Sequence, residues 1–164
     1  MKHREMAGKV FHPFFLARLE NFGLEQPDKS EVHAWSTSLE TDENTLRSLS
    51  SNLSTDELFR ANRFNSELHR RRFIVARSTL RILISSYLNC GISSIELIYD
   101  AKGKPSVKKP TTGLTFNVSH SHDLALYGFG NSRAIGVDVE RERKDLSELA
   151  IAKRFFSQDE IEKI

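Results

Sequence analysis

The stretch Phe116-Asn117-Val118-Ser119-His120-Ser121, followed by Gly136-Val137-Asp138-Val139-Glu140, decides how this chain is read. The intervening Leu124-Ala125-Leu126-Tyr127-Gly128-Phe129 has strand composition, so the two motifs fall on what read as neighbouring strands. Val137 and Val139 alternate with Asp138 and Glu140, the period of a strand. Side chains at i and i+2 share one face, about 6.6 Å apart, so the valines can face a core while both carboxylates face a cleft. Two convergent carboxylates suit a hard cation such as Mg²⁺, which completes its octahedron with water and phosphate oxygens. The Ser-His tip could then hold a phosphate beside the metal. The plainer reading of the same residues is a solvated strand edge whose charges discourage pairing, with His120 as a hydrogen-bonded structural histidine.

Working outward, residues 1–30 read as an N-terminal arm, broken at Pro27-Asp28-Lys29-Ser30. Residues 31–39 read as the first strand, and 42–49 and 55–63 as helices. Ser54 with Glu57 three residues later forms a capping box. The strongest helix covers 66–89, where Phe73, Ala76, Leu80, Leu83 and Tyr87 recur at spacings of three and four as one apolar stripe. Arg70, Arg77 and Arg81 share an adjacent face. Arg72 lies at the edge of the stripe, where a guanidinium must snorkel, pair with an acid or meet a ligand. Gly91 is expected to close the helix at C′. Strands at 95–99, 114–119, 124–129 and 134–140 follow, with residues 100–105 as a loop. Residues 147–156 read as a helix, and Ser157 with Glu160 starts another that has run about two turns by Ile164. That short, unterminated helix raises the expectation that the chain is the front part of a longer protein.

Bulk properties narrow the classes. The chain has 164 residues, 38% of them hydrophobic, enough for one modest core, and a net charge of +2. The charge is uneven: residues 54–81 carry seven arginines against three acids, and residues 137–164 carry eight acids against six bases. Cys90 is the only cysteine, so neither an intrachain disulfide nor a cysteine-based zinc site can form. The apolar run of residues 10–16 is interrupted by His12 and Pro13 and is not a secretory signal. No run approaches the roughly 20 apolar residues of a membrane span. A cytoplasmic protein with no membrane partner is expected.

The combination resembles the 4′-phosphopantetheinyl transferases, specifically the surfactin-synthetase-activating type. Gly103-Lys104-Pro105, the two motifs above, and Ala152-Lys153-Arg154-Phe155-Phe156-Ser157-Gln158-Asp159-Glu160 stand in the family's order and spacing. Leu53-Ser54 to Arg63-Phe64 and Arg71-Arg72-Phe73 to Arg81 look like its basic helical region. Four motifs in register make a specific signal, and it spans about residues 31–164.

The resemblance implies an α+β fold of two similar halves with the site between them. Residues 31–130 would form the first half and residues 131–164 the start of the second, incomplete here. It implies Mg²⁺-dependent transfer of 4′-phosphopantetheine from coenzyme A, as substrate, to a serine of an acyl or peptidyl carrier protein. Asp138 and Glu140 would hold the metal. Ser119 and His120 would contact coenzyme A phosphates, Lys104 and Pro105 would lie by the adenosine end, and Arg72 and Arg60 would reach the 3′-phosphate. Glu160 matches a family acid close to the site, although a capping box wants glutamate there anyway. The family's third motif, W-S/T-x-K-E followed by a lysine, supplies the expected general base and does not occur in this chain.

Three alternatives compete. The first is a non-catalytic binder of coenzyme A or carrier protein that lacks the base. The second is a zinc hydrolase built on His120-Ser121-His122-Asp123, whose aspartate falls one residue early for the H-x-H-x-D pattern and which no telling histidine spacing supports. The third is nucleic-acid binding by the arginine-rich helix, which lacks interleaved aromatics and a high net charge; no nucleic-acid partner is expected. The missing third motif generates a first prediction. The isolated 164-residue chain should transfer phosphopantetheine poorly or not at all, and labelling of an apo carrier protein at ordinary enzymatic rates would refute it.

Overall fold

The computed structural model describes residues 10–11, 23–101 and 103–141. The architecture is α+β. Strands β1 (Val10–Phe11) and β2 (His33–Ser38) precede helices α1 (Glu43–Ser50), α2 (Thr55–Ala61) and α3 (Glu67–Leu88). A 3₁₀ turn (Ile92–Ser94) leads to β3 (Glu96–Tyr99), β4 (Pro105–Lys109), β5 (Leu114–Ser121) and β6 (Leu124–Asn131). The main sheet has the order β1-β2-β6-β5, and β3 and β4 form a separate hairpin.

The helices start where the sequence caps them. Asp42 accepts the amides of Asn44 and Thr45, Ser54 and Glu57 complete their reciprocal capping box, and Ser66 accepts the amide of His69. The end of α3 departs from expectation. Asn89, not Gly91, takes the left-handed conformation (φ 47°), and Gly91 lies at φ −63°. Asparagine tolerates that region best among residues with a side chain.

α3 lies across one face of the main sheet. The Tyr127 hydroxyl donates to the Ala76 carbonyl (3.0 Å), and the Tyr87 ring packs on Phe129 (4.8 Å between centroids). Trp35 Nε1 donates to the Tyr87 hydroxyl at 2.8 Å, and His33 Nδ1 meets the same hydroxyl at 2.9 Å. Burial pushes the Tyr87 phenol up to about 12, against a smaller opposite effect of the Trp35 hydrogen bond. The expected single stripe on α3 is too narrow. Ile74, Val75, Ile82 and Ile84 are buried beside Leu80, Leu83 and Tyr87, because the core closes around the helix, whereas Phe73 and Ala76 are only partly covered.

Two of the arginines are drawn inward. Glu57 is 4% exposed, and its Oε2 accepts both the Ser54 amide (2.9 Å) and Arg81 Nε (2.6 Å). Arg81 also donates to the carbonyls of Ile92 and Ile95. Arg77 Nε lies 3.6 Å from Glu57 Oε1. One carboxylate thereby joins α2 to α3 and, through Arg81, to the entry of β3.

β5 and β6 form a tight hairpin whose loop begins at His122 (φ 54°), a positive φ that suits a two-residue connection. The expected strand at 134–140 is corrected. Residues 133–141 run alongside β5 in the same direction but join no backbone ladder among the described residues. They lie on the sheet face opposite α3 and are held by side chains. Thr115 Oγ1 donates to the Arg133 carbonyl (2.7 Å), while the amides of Val137, Val139 and Arg141 donate to Asn117, Ser119 and Ser121 (2.9, 3.2 and 3.3 Å). The segment can lie flat because β6 carries Gly128 there, where a Cβ would meet Val137 Cγ1 at 2.6 Å. Two further strands differ from the sequence expectation: β4 begins at the end of the expected 100–105 loop and pairs with β3, and β1, within the N-terminal arm, pairs in parallel with β2. The helices expected at 147–156 and from Ser157 lie outside the described residues.

The buried carboxylate sets a stability prediction. Glu57→Gln should cost about 3–5 kcal/mol in urea unfolding, because it strands Arg81 and Arg77 without a counter-charge. A loss below about 1 kcal/mol would show that the ion cluster is not needed.

Candidate functional site

Alternation along β5 sends neighbouring residues to opposite sheet faces. Val118 and His120 lie on the α3 side, and Asn117, Ser119 and Ser121 on the side of segment 133–141. A cavity of about 540 Å³ opens between α3, the end of α2 and the tip of β5. Arg60, Arg72, Arg77, Phe73, Val118 and His120 line it, with Pro105 at one side. The sequence-predicted Arg60, Arg72, Pro105 and His120 thus meet in one cavity. Ser119 does not join them, because its side chain faces the other way. Lys104 sits in an adjoining hollow of about 240 Å³ that shares Pro105 and Val118, and its Nζ donates to the Ile135 carbonyl at 3.3 Å. The turn that presents it is fixed by the Asp100 carboxylate accepting the Lys104 amide (2.8 Å) and by Gly103 at φ 79°.

The cavity is electropositive with donors to spare. Arg72 Nε and Arg77 Nη1 are buried without a hydrogen-bond partner among the described residues. A buried N–H without an acceptor is costly, so both favour a ligand that brings oxygens. Arg77 was missed in the sequence as a site residue. Its guanidinium stacks near Phe73 (5.7 Å) and Tyr99 (5.6 Å), and Arg60 lies 5.4 Å from the Phe73 ring on its own account. The signal that could have found it was its place on α3, a helical turn beyond Phe73.

The carboxylates lie next door. Asp138 and Glu140 are exposed, while Val137 and Val139 turn toward the sheet, as the alternation predicts. Glu140 lines a second hollow of about 480 Å³ together with Glu40, Arg72, Ser121 and His122. Arg72, Ser121 and His122 are common to this hollow and the cavity. A basic chamber therefore borders an acidic one, with Arg72 at the boundary. Ser119 Oγ donates to Asp138 Oδ1 at 2.8 Å, and Ser121 Oγ lies 3.5 Å from Glu140 Oε2.

Asp138 and Glu140 are exposed hard-oxygen donors two residues apart, Glu140 lining the hollow that adjoins the arginine cavity, and this donor set fits Mg²⁺ as part of a site. No group of three histidine, cysteine, aspartate or glutamate side chains gathers among the described residues, so the remaining ligands would be water and substrate oxygens. The same absence removes support for the zinc reading of His120-Ser121-His122-Asp123, whose His122 and Asp123 form the hairpin turn. Glu160 lies outside the described residues. No helix among the described residues is long and apolar enough to cross a membrane.

Comparison with known proteins matches residues 33–128 to the family model described as 4′-phosphopantetheinyl transferase, N-terminal. The chain is similar to the 4′-phosphopantetheinyl transferase HetI of Nostoc sp. strain PCC 7120, 41% identical over 134 residues that cover 80% of this chain and 56% of that protein. It is 33% identical over 113 residues to the putative 4′-phosphopantetheinyl transferase slr0495 of Synechocystis sp. strain PCC 6803, covering 68% of this chain and 46% of that one. It is 34% identical over 100 residues to the 4′-phosphopantetheinyl transferase psf-1 of Bacillus pumilus, covering 61% of this chain and 41% of that one. The chain spans about half the length of the curated relatives it matches.

The unpartnered guanidinium N–H groups make a prediction independent of any relative. Inorganic pyrophosphate should bind, and Arg72→Ala should weaken that binding roughly 10- to 100-fold, the worth of charged hydrogen bonds. The exposed Arg63→Ala, outside the cavity, should change it less than about threefold. Equal losses in both variants by calorimetry would reduce the cavity to general surface charge.

Proposed function

Because this chain belongs to the 4′-phosphopantetheinyl transferase family, we propose that the protein transfers 4′-phosphopantetheine from coenzyme A to a serine hydroxyl of an acyl or peptidyl carrier protein, with Mg²⁺. The observation that carries this reading is the abutment of the arginine-lined cavity and the hollow holding Glu140, joined at Arg72. Coenzyme A has a 3′-phosphate and a pyrophosphate, and it needs cationic groups for both. A metal bound at its pyrophosphate needs carboxylates within reach of the same phosphates.

In this reading Arg72 and Arg60 take the 3′-phosphate and His120 a pyrophosphate oxygen. Lys104 and Pro105 flank the adenosine, and Ser119 is the further phosphate contact that the family resemblance implies. Asp138 and Glu140 hold Mg²⁺, which when bound neutralises charge on the pyrophosphate. The carrier serine oxygen attacks the β-phosphorus, and a new P–O bond forms as the bond to the leaving phosphate breaks. Adenosine 3′,5′-bisphosphate departs and the serine proton passes to a base. Glu160 is the acid of this chain put forward near that step.

The test is transfer of a fluorescent phosphopantetheine from labelled coenzyme A to an apo carrier protein, with and without Mg²⁺. In the complete protein, labelling should require Mg²⁺. Asp138→Ala should lower it by on the order of 10²–10³-fold, the scale for removing one electrostatic stabiliser of a transition state, with the thermal midpoint unchanged. Full activity of Asp138→Ala would refute the metal assignment. Coenzyme A binding without any labelling would favour the non-catalytic binder.

A further inference from the structure

We propose that a hollow between the start of α2, the C-terminal half of α3 and the 3₁₀ turn is a second site, for a small oxyanion such as phosphate, and that the arginine cavity reads its occupancy through Glu57. The hollow has a volume of about 620 Å³ and shares no lining residue with the cavity. Arg81 is its cation. The residue is 4% exposed, with Nε bonded to Glu57 and Nη1 to the carbonyls of Ile92 and Ile95. Nη2 takes no hydrogen bond among the described residues. It is not sealed in as Arg72 Nε and Arg77 Nη1 are, so it is the arm of the fork that opens into the hollow. Hydroxyls surround it. Those of Ser51 and Ser85 already donate to the carbonyls of Ser48 and Cys90. Ser54 Oγ accepts the Glu57 amide, which leaves its proton to give. The hydroxyls of Thr55 and Ser93 have no partner among the described residues. No acidic side chain lines the hollow among the described residues. A guanidinium arm and three available hydroxyl protons, with no competing carboxylate, suit a tetrahedral oxyanion held by charge-assisted hydrogen bonds.

Glu57 connects the two chambers. Its Oε2 holds Arg81 Nε at 2.6 Å and the Ser54 amide at 2.9 Å. Its Oε1 is buried and accepts no hydrogen bond among the described residues, and Arg77 Nε stands off at 3.6 Å. Arg77 lines the cavity and Arg81 the hollow. One carboxylate is thus shared, unevenly, between two guanidiniums that open into different chambers. An anion on Arg81 draws that guanidinium outward and offsets its charge. The carboxylate is then free to close the remaining gap to Arg77, and the cavity loses part of the pull of Arg77 on phosphate oxygens. The field of the bound anion acts in the same direction. The coupling is therefore negative. By linkage it is reciprocal: an oxyanion in the cavity weakens phosphate in the hollow by the same factor.

The experiment titrates inorganic phosphate into the complete ¹⁵N-labelled protein and follows backbone amide shifts. The amides of Ser54 and Ser93 report the hollow, and those of Val118 and His120 report the cavity. Both pairs should shift saturably, with the hollow half-filled at about 1–10 mM, the range that a few charge-assisted bonds provide. Arg72→Ala should weaken the cavity response and leave the hollow response within about twofold. Arg81 cannot be removed without stranding Glu57, so the rim is altered instead. Ser93→Asp, at an exposed position, should remove the hollow response and leave the thermal midpoint unchanged. Its carboxylate stands in for a bound anion, so pyrophosphate affinity at the cavity, read from Val118 and His120, should fall about threefold or more, near the lower end of usual couplings. Ser94→Asp, exposed and outside the lining, adds the same charge next door and should have less than half that effect.

Shifts confined to Val118 and His120 would overturn the second site. So would loss of the Ser54 and Ser93 response in Arg72→Ala, which would make that response an echo of binding in the cavity. Equal effects of Ser93→Asp and Ser94→Asp on pyrophosphate would overturn the coupling and reduce it to general surface charge. None of these readouts depends on phosphopantetheine transfer, so the inference stands or falls apart from the function proposed above.

Discussion

The buried carboxylate of Glu57 is the constraint on which much of the remaining structure depends. It caps α2, closes on Arg81 and draws Arg77 toward the core. Removing such charges from water costs several kcal/mol per ion, and only good geometry with further hydrogen bonds recovers it. Arg81 has that geometry, with two carbonyls in addition to the acid. Arg77 does not, since its contact is longer and its Nη1 lacks an acceptor among the described residues. The imbalance connects core to site. The cluster that fixes α2 against α3 leaves one guanidinium incompletely satisfied in the wall of the cavity, beside Phe73 and Tyr99.

The second organising relation lies on the far face of the sheet. Segment 133–141 meets β5 through side chains at every second residue, and Gly128 and Gly130 on β6 leave room for Val137 and Ile135. The arrangement follows from chemistry. Asn, Ser and Ser at 117, 119 and 121 offer acceptors to backbone amides, and the outward carboxylates use the hydroxyl protons that remain. The two chambers meet at the tip of one strand: His120 lines the basic side alone, and Ser121 lines both.

Much of this was legible in the residues, because it rests on local rules. Asp42, Ser54 and Ser66 marked the helix starts, and the alternation at Val137–Val139 correctly turned the acids outward. What was not legible depended on tertiary context. β4 begins at Pro105, which a strand tolerates at its first residue, and its exposed lysines resemble loop. Ile82 and Ile84 fall off the expected stripe because nothing local says that α3 is enclosed. That Arg77 and Arg81 share Glu57 depends on contacts 20 and 24 residues apart. The alternation rule itself separates Ser119 from His120; the motif, read as a unit, obscured that separation.

A strand in a ladder leaves only by unzipping bonds that its neighbours share. The stretch over β5 is attached differently: three of its amides each rest on a single side-chain acceptor, and six of its nine residues face water. Its release would leave every backbone pair between β5 and β6 in place. Opening of this stretch is thus decoupled from unfolding of the domain, and its amides should exchange with solvent through a local fluctuation well below the global free energy. The carboxylates are carried on a part of the sheet region that can lift away while the sheet stays closed.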